Sequence, residues 1–372
     1  MSLTTLRWSS PFAVLGVIGM LLLSGCSGDD QEGSGPQTGA GKRFLKLGTA
    51  PVGGAFFQVG GALANVVNDH KPDEVGKFSS VATKGSQQNI RDLAGGDLDF
   101  ALSNAAISYF AARGESGWDK AYDIKAVMTL APNMAMFITP ESTGIKSIAE
   151  LKGKRVCLGP EGAGFEFFLT PILKAHGVDI AEIDKRYAPQ NAAVDQLSDG
   201  AIDAAFLGGA VPTASITQAC SSGDIYFIPY EQAAMESLEQ DFEFFQQRTI
   251  EAGKYSDLTA DYAGLNVGSM HLITSGGQDE ELVYQVTKAI YENATEVVEK
   301  HPAGKAINPK VVIRDTGTEF HPGAIRFYKE IGIWPEADSG SEDSGSDANE
   351  PADSTDNESD DATAAPASEE SN

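Results

Sequence analysis

The sequence predicts an α/β protein of two doubly wound domains, or lobes, joined by hinge strands. Three observations carry that expectation. Short apolar runs alternate with stretches of helical spacing from residue 44 to about residue 334. The alternation starts again after residue 154 with the same design. Two matching joints recur, Gly95-Gly96-Asp97-Leu98-Asp99-Phe100-Ala101 and Asp199-Gly200-Ala201-Ile202-Asp203-Ala204-Ala205, one in each half. Repeated β-α-β is the grammar of a parallel sheet with helices on both faces.

Taken in order, residues 44–49 read as a strand. Gly53 and Gly54 then open a helix in which Phe57, Leu63, Ala64 and Val67 follow helical spacing. A strand is expected over 77–82, a helix over 86–94 that stops at Gly95-Gly96, and a strand over 98–102. Residues 126–139 hold two apolar runs around Ala131-Pro132-Asn133 and read as a crossing between lobes. Strands at 154–158, 185–187, 203–207 and 225–229 follow, separated by helices that end near Ala175, Ser198 and Ala219. Residues 226–230 and 270–274 are candidates for the return crossing, and helices over 280–300 and 324–331 finish the first lobe. The expected division is lobe I over 44–132, lobe II over 133–230, and a helical segment with the completion of lobe I over 231–335. An inserted lobe joined by paired strands can close like a hinge.

The two ends read differently. Arg7 precedes an apolar run over 12–23, which has the length of a signal-peptide core and is short for a membrane span. It ends in Leu23-Ser24-Gly25-Cys26, which resembles the bacterial lipobox. The expectation is a signal peptide over 1–25, acyl chains on Cys26, and a flexible tether of Gly, Ser and polar residues over 26–43. The body would then sit in the cell envelope on the periplasmic side, anchored to a membrane, inner or outer. Residues 337–372 contain twelve acidic side chains, no Lys or Arg, and no aromatic or large aliphatic residue, so 336–372 are expected to be a disordered acidic tail.

The formal net charge of −26 argues against nucleic acid or an anionic membrane surface as the main partner. No phosphate loop, dinucleotide fingerprint, H-E-x-x-H or G-x-S-x-G elbow is present. None of the five His residues has metal-ligand spacing with another His or Cys, so no metal or cofactor is expected. Cys157 and Cys220 are either a disulfide or two separate thiols.

In open α/β sheets, ligands sit beyond the carboxyl ends of the strands. The turns there read APVGGAFF, TKGSQQN, SNAAIS, GPEGAGFEF and GGAVPTAS. Gly53, Gly54, Gly85, Gly162, Gly164, Gly208 and Gly209 let backbone N–H groups approach a ligand, and helix N-termini favour anions. Ser86, Asn89, Ser103, Asn104, Ala163 and Thr213 are the small or polar side chains beside them. Phe56 is the aromatic candidate, since Phe57 follows the core pattern.

Several stretches together resemble the TAXI family, the extracytoplasmic solute receptors of one branch of TRAP transporters. They are residues 48–61; Gly85-Ser86 with Asn89, followed by Gly96-Asp97-Leu98-Asp99; residues 144–156; Ala252-Gly253-Lys254-Tyr255; and His321-Pro322-Gly323-Ala324. The resemblance spans 45–334. It implies a type II periplasmic binding protein fold, a small-molecule solute such as an amino acid or organic acid (glutamate-like), TRAP membrane subunits as partners, and no catalysis. The chain departs from the family at Phe56-Phe57, where tyrosines are common. It also departs at Lys84 for Gly, at Glu161 in a turn usually uncharged, and at Ala163 for Ser. Lys84 and Glu161 stand on turns of opposite lobes. They could bind the carboxylate and ammonium of an amino acid, pair with each other, or simply face water. Alternative partners are an ABC importer or a signalling kinase; an enzyme on the same scaffold would need a nucleophile or acid–base pair that these turns lack.

Overall fold

The computed structural model describes residues 44–335 apart from Gly53. The leader over 1–25, Cys26, the tether and the acidic tail lie outside the described residues. The chain runs β1 (Phe44–Gly48), α1 (Ala55–His70), β2 (Lys77–Val81), α2 (Ser86–Gly95), β3 (Phe100–Asn104), α3 (Ala105–Arg113) and β4 (Ile124–Thr129). It continues through β5 (Met134–Pro140), β6 (Arg155–Cys157), α4 (Glu166–Ala175), β7 (Asp184–Arg186), α5 (Gln190–Ser198), β8 (Ala204–Gly209), α6 (Ala214–Ser222), β9 (Ile225–Ile228), α7 (Gln232–Asp241), β10 (Phe245–Ile250) and β11 (Tyr262–Val267). It closes with β12 (Met270–Ser275), α8 (Glu280–Glu292), α9 (Ala294–Lys300) and α10 (Pro322–Glu330).

The fold is the expected α/β arrangement of two lobes, each built on its own sheet. Lobe I holds a five-stranded sheet of order β2-β1-β3-β12-β4, and lobe II a seven-stranded sheet of order β10-β11-β5-β8-β6-β7 with β9 also on β5. In lobe I, β1 pairs in parallel with β2 and β3. In lobe II, β6 pairs in parallel with β7 and β8. Parallel strands need covering helices on both faces, and β3 is accordingly buried at every position.

The recurring Gly–Asp joints do the same work in each lobe. Asp99 accepts the Lys46 amide at 2.8 Å while its own amide bonds the Lys46 carbonyl at 3.0 Å. Asp203 accepts the Arg155 amide at 2.8 Å, and its amide bonds the Arg155 carbonyl, also at 2.8 Å. Each Asp thus ties the head of one strand to its parallel neighbour. In lobe II the Arg155 guanidinium adds a second grip on Asp203, at 2.6 and 3.1 Å, and holds that carboxyl below its usual range.

Two crossings connect the lobes, one from β4 to β5 and one from β11 to β12. They run side by side and bond to each other: Met270 N–H to Ala131 O at 2.9 Å, and Val267 N–H to Asn133 O at 3.0 Å. Residues 226–230 are not a crossing; β9 pairs with β5 inside lobe II. Lobe II does not stop at residue 230 either, because the hairpin β10–β11 extends its sheet to Val267. That hairpin carries polar side chains on an edge strand, FQQRTI, and offers no clear apolar run to read. The third strand starts at Phe100 rather than Leu98, since Asp99 is occupied as the clamp.

One core packs β1, β3 and β12 against α1, α8 and α10. The other fills lobe II and continues into α2 and α3 of lobe I. The continuity is aromatic: Phe110 of α3 meets Phe244 at 5.7 Å, and Trp118 stacks on Phe167 at 5.3 Å. The lobes therefore share apolar packing along one side.

Candidate functional site

The turns after β1, β2, β3, β6 and β8 meet where the two lobes face each other. They enclose a cavity of about 380 Å³, a volume suited to a small ligand. From lobe I it takes Pro51, Gly54, Ala55, Phe56, Lys84, Gly85, Ser86, Asn104 and His301. From lobe II it takes Pro160, Ala163, Gln190, Gly208, Gly209, Thr213 and Ser215, with Asn133 from the crossing. The lobes touch at its rim. A methyl placed on Gly85 would lie 3.4 Å from the Ala163 methyl, and one on Gly162 would lie 3.7 Å from the Lys84 side chain. Gly85 also has a φ of +122°, which favours glycine.

Four helices begin at this cavity. The caps of α1, α2, α5 and α6 are Gly54, Gly85, Pro189 and Thr213, and none makes a side-chain cap hydrogen bond. Among the described residues, the amides of Ala55, Ser86, Gln190 and Ala214, the first residue of each helix, have no acceptor. Uncapped helix starts present orphan N–H donors and the positive end of the helix dipole.

Several backbone and side-chain acceptors around the cavity are already used. Pro51 O takes the Gly54 amide, and Gly54 O takes those of Phe57 and Gln58. Ala210 O takes the Thr213 hydroxyl. Gln190 donates to Gly208 O at 2.8 Å, while its own oxygen accepts the Gly208 amide and the Ser215 hydroxyl. Asn104 accepts the Ala106 amide and donates to Val267 O and Gly268 O, so this buried side chain ties lobe I to the second crossing. Neither Asp nor Glu lines the cavity among the described residues. Lys84 stands at the rim without an ion pair among the described residues. Burial lowers the pKa of His301, and its Nδ1 accepts the Ala303 amide, which leaves the proton of the neutral ring on Nε2.

The structure thus brings together Gly54, Phe56, Lys84, Gly85, Ser86, Asn104, Ala163, Gly208, Gly209 and Thr213 from the sequence-based set. Gly53 lies outside the described residues. Asn89 is fully buried and donates to Thr49 O and Leu102 O, so it holds strand ends together. Ser103 is also fully buried and takes the Ser108 hydroxyl. Glu161, Gly162 and Gly164 line a separate outer groove of about 910 Å³ beside α4. The pairing of Lys84 with Glu161 across one cavity therefore does not occur. The groove is the larger of the two, and the first turns of α2 and α4 reach it through Gln87 and Glu166, the latter placing a carboxylate there. Gln190, Ser215, Asn133 and His301 belong to the cavity and were not singled out in the sequence. Cys157 and Cys220 are separate free thiols.

Comparison with known proteins adds a family and distant likenesses. A model described as the NMT1-like family matches residues 47–332. The chain is similar to the periplasmic aliphatic sulphonate binding protein SsuA from Escherichia coli at 14% identity, with 71% of this chain and 80% of that one covered and a TM-score of 0.37. It is similar to PhnD1 from Prochlorococcus marinus, solved with methylphosphonate, at 13% identity, covering 79% and 100%, with a TM-score of 0.49. An ancestral arginine-binding protein bound to arginine shares 17% identity over 73% of this chain and 99% of that one, at a TM-score of 0.43.

Proposed function

Starting from the premise that the chain belongs to the NMT1-like family, we propose that it is a solute receptor that captures a small organic acid between its lobes. The observation that carries this reading is the convergence of four uncapped helix N-termini on one cavity between the lobes, with Lys84 at the rim and no carboxylate in the lining among the described residues. Aligned N–H donors and dipoles favour an anion there. Gln190 and Asn104 hold the surrounding backbone in place before any ligand arrives. Capture follows from closure: the two crossings bend, the lobes meet at Gly85 and Ala163, and the acid group is enclosed. The site is read as one that binds and releases, without turnover.

The finer parts of the reading come from the sequence. A lipidated Cys26 would hold the body on the periplasmic side of a membrane, and the TAXI resemblance assigns TRAP membrane subunits as the recipient. The first test is thermal unfolding of the purified protein with small organic acids and amino acids. A bound acid at about a hundred times its Kd should add about 2.7 kcal/mol. No stabilisation by any of them would defeat the reading. Uptake into vesicles containing the receptor and its membrane subunits separates the partners. A TRAP partner requires abolition by collapse of the ion gradient; a strict need for ATP would reassign the receptor to an ABC importer.

A further inference from the structure

We infer that the solute is an organic acid without an amino group, a 2-hydroxy or 2-oxo acid rather than an amino acid. This rests on the reading of the cavity as a solute site and deepens it. The charge around the cavity is one-sided: Lys84 and four helix starts face it, and no Asp or Glu lines it among the described residues. Donors remain free at four helix starts, at the Lys84 ammonium and at Nε2 of His301, while the nearby carbonyl and amide oxygens described above are consumed within the protein. An ammonium group has three donors and no acceptor. Enclosed here it would lose its water, find no counter-charge and face the positive ends of four helices.

An independent observation concerns Asn133. It lines the cavity, is only 7% exposed, and its side chain has no partner among the described residues. Its backbone is fixed instead, with the amide on Asn266 Oδ1 at 2.9 Å and the carbonyl on Val267 N–H. Its amide is not sealed inside the protein but opens onto the cavity, where a ligand can meet it. Ligand capture would supply the missing partner. A carboxamide both donates and accepts but carries no charge, so it suits a keto oxygen or a hydroxyl and offers only a weak substitute for a carboxylate facing an ammonium. The acid group then belongs at the helix starts, and the substituent next to it at Asn133, on the crossing itself.

The test is calorimetric titration of the full chain with acids that share a carbon skeleton and differ only at the second carbon. Suitable sets are alanine, lactate and pyruvate; leucine and its hydroxy and oxo acids; and glutamate and 2-oxoglutarate. For the best skeleton the hydroxy or oxo acid should bind about 100-fold or more tightly than the amino acid. Asn133→Ala should weaken that acid about 10-fold, with an intact unfolding transition showing that the chain still folds. An amino acid that binds as tightly as its oxo counterpart would overturn the inference while leaving the receptor reading standing. Silence from every set would remove the organic-acid reading itself, and the inference with it. If Asn133→Ala bound unchanged, the assignment of the second carbon to this residue would be wrong.

Discussion

Helices α8 and α10 close their own N-termini, whereas α1, α2, α5 and α6 do not. Asp279 accepts the Leu282 amide at 2.8 Å, and His321 accepts the Gly323 amide at 3.2 Å. The second of these uses the His321-Pro322-Gly323 stretch. Glu280 and Glu281 further complement the start of α8. At the cavity the corresponding positions are Gly54, Gly85, Pro189 and Thr213, with no side-chain cap on any of them. Asn104 shows an intermediate case, because it borders the cavity yet caps α3 and spends its donors on the crossing. The starts of α4, α7 and α9 also lack a side-chain cap, so what distinguishes the cavity is that four uncapped starts meet there. A cap is worth about 1 kcal/mol, and on the proposed reading an anionic ligand would return that stabilisation on binding.

Gly54→Asp would break the contrast most strongly. The backbone there is extended, and a Cβ would meet only Pro51 O at 3.5 Å. The new carboxylate can cap α1 and stabilise the ligand-free protein by about 1 kcal/mol. It also places a like charge beside the bound acid, so affinity should fall by about two orders of magnitude. Titration and urea unfolding of the same variant should therefore move in opposite directions; a joint rise or joint fall contradicts the account. Next in size, Asp279→Ala should cost about 1 kcal/mol in urea unfolding with ligand affinity unchanged, because α8 has no part in the cavity. The smallest effect lies in acid. Arg326 donates to Glu281 at 2.5 Å and holds its pKa below 4.5. A depressed folded value means that the contribution is present above about pH 4.5 and lost as pH falls through the folded value. The urea midpoints of wild type and Glu281→Gln should thus differ at pH 7 and converge at pH 3, Glu281→Gln being the less stable at the higher pH.

Local pattern made much of this molecule legible. The Gly–Asp joints were readable because a helix stop, a turn and a strand head occupy consecutive residues, and the structure gives Asp99 and Asp203 the same task. The glycine-rich turns were readable because close backbone approach needs small residues. What escaped depended on distant partners. Gln190 looks like any polar residue at a helix start until Gly208 is placed opposite it. Asn133 and His301 reach the cavity only through the crossing and the return of the chain into lobe I. Glu161 misled because its turn does face the other lobe, while its side chain belongs to the outer groove. The β10–β11 hairpin was missed because β10 is an edge strand rich in Gln, Arg and Thr, and its pairing with Tyr262–Val267 replaces the apolar signal.

On the proposed reading, the rim contact between Gly85 and Ala163 sets how far the lobes can close. With one hydrogen and one methyl at the meeting point, the end of the stroke is defined by the near absence of side chains. A wedge such as Ala163→Leu, at the rim of the cavity, would act as a doorstop, holding the lobes apart while leaving the helix starts and Lys84 in place. Such a propped receptor would still sample solute but could not seal it in, which would make the protein a scaffold for separating recognition from retention.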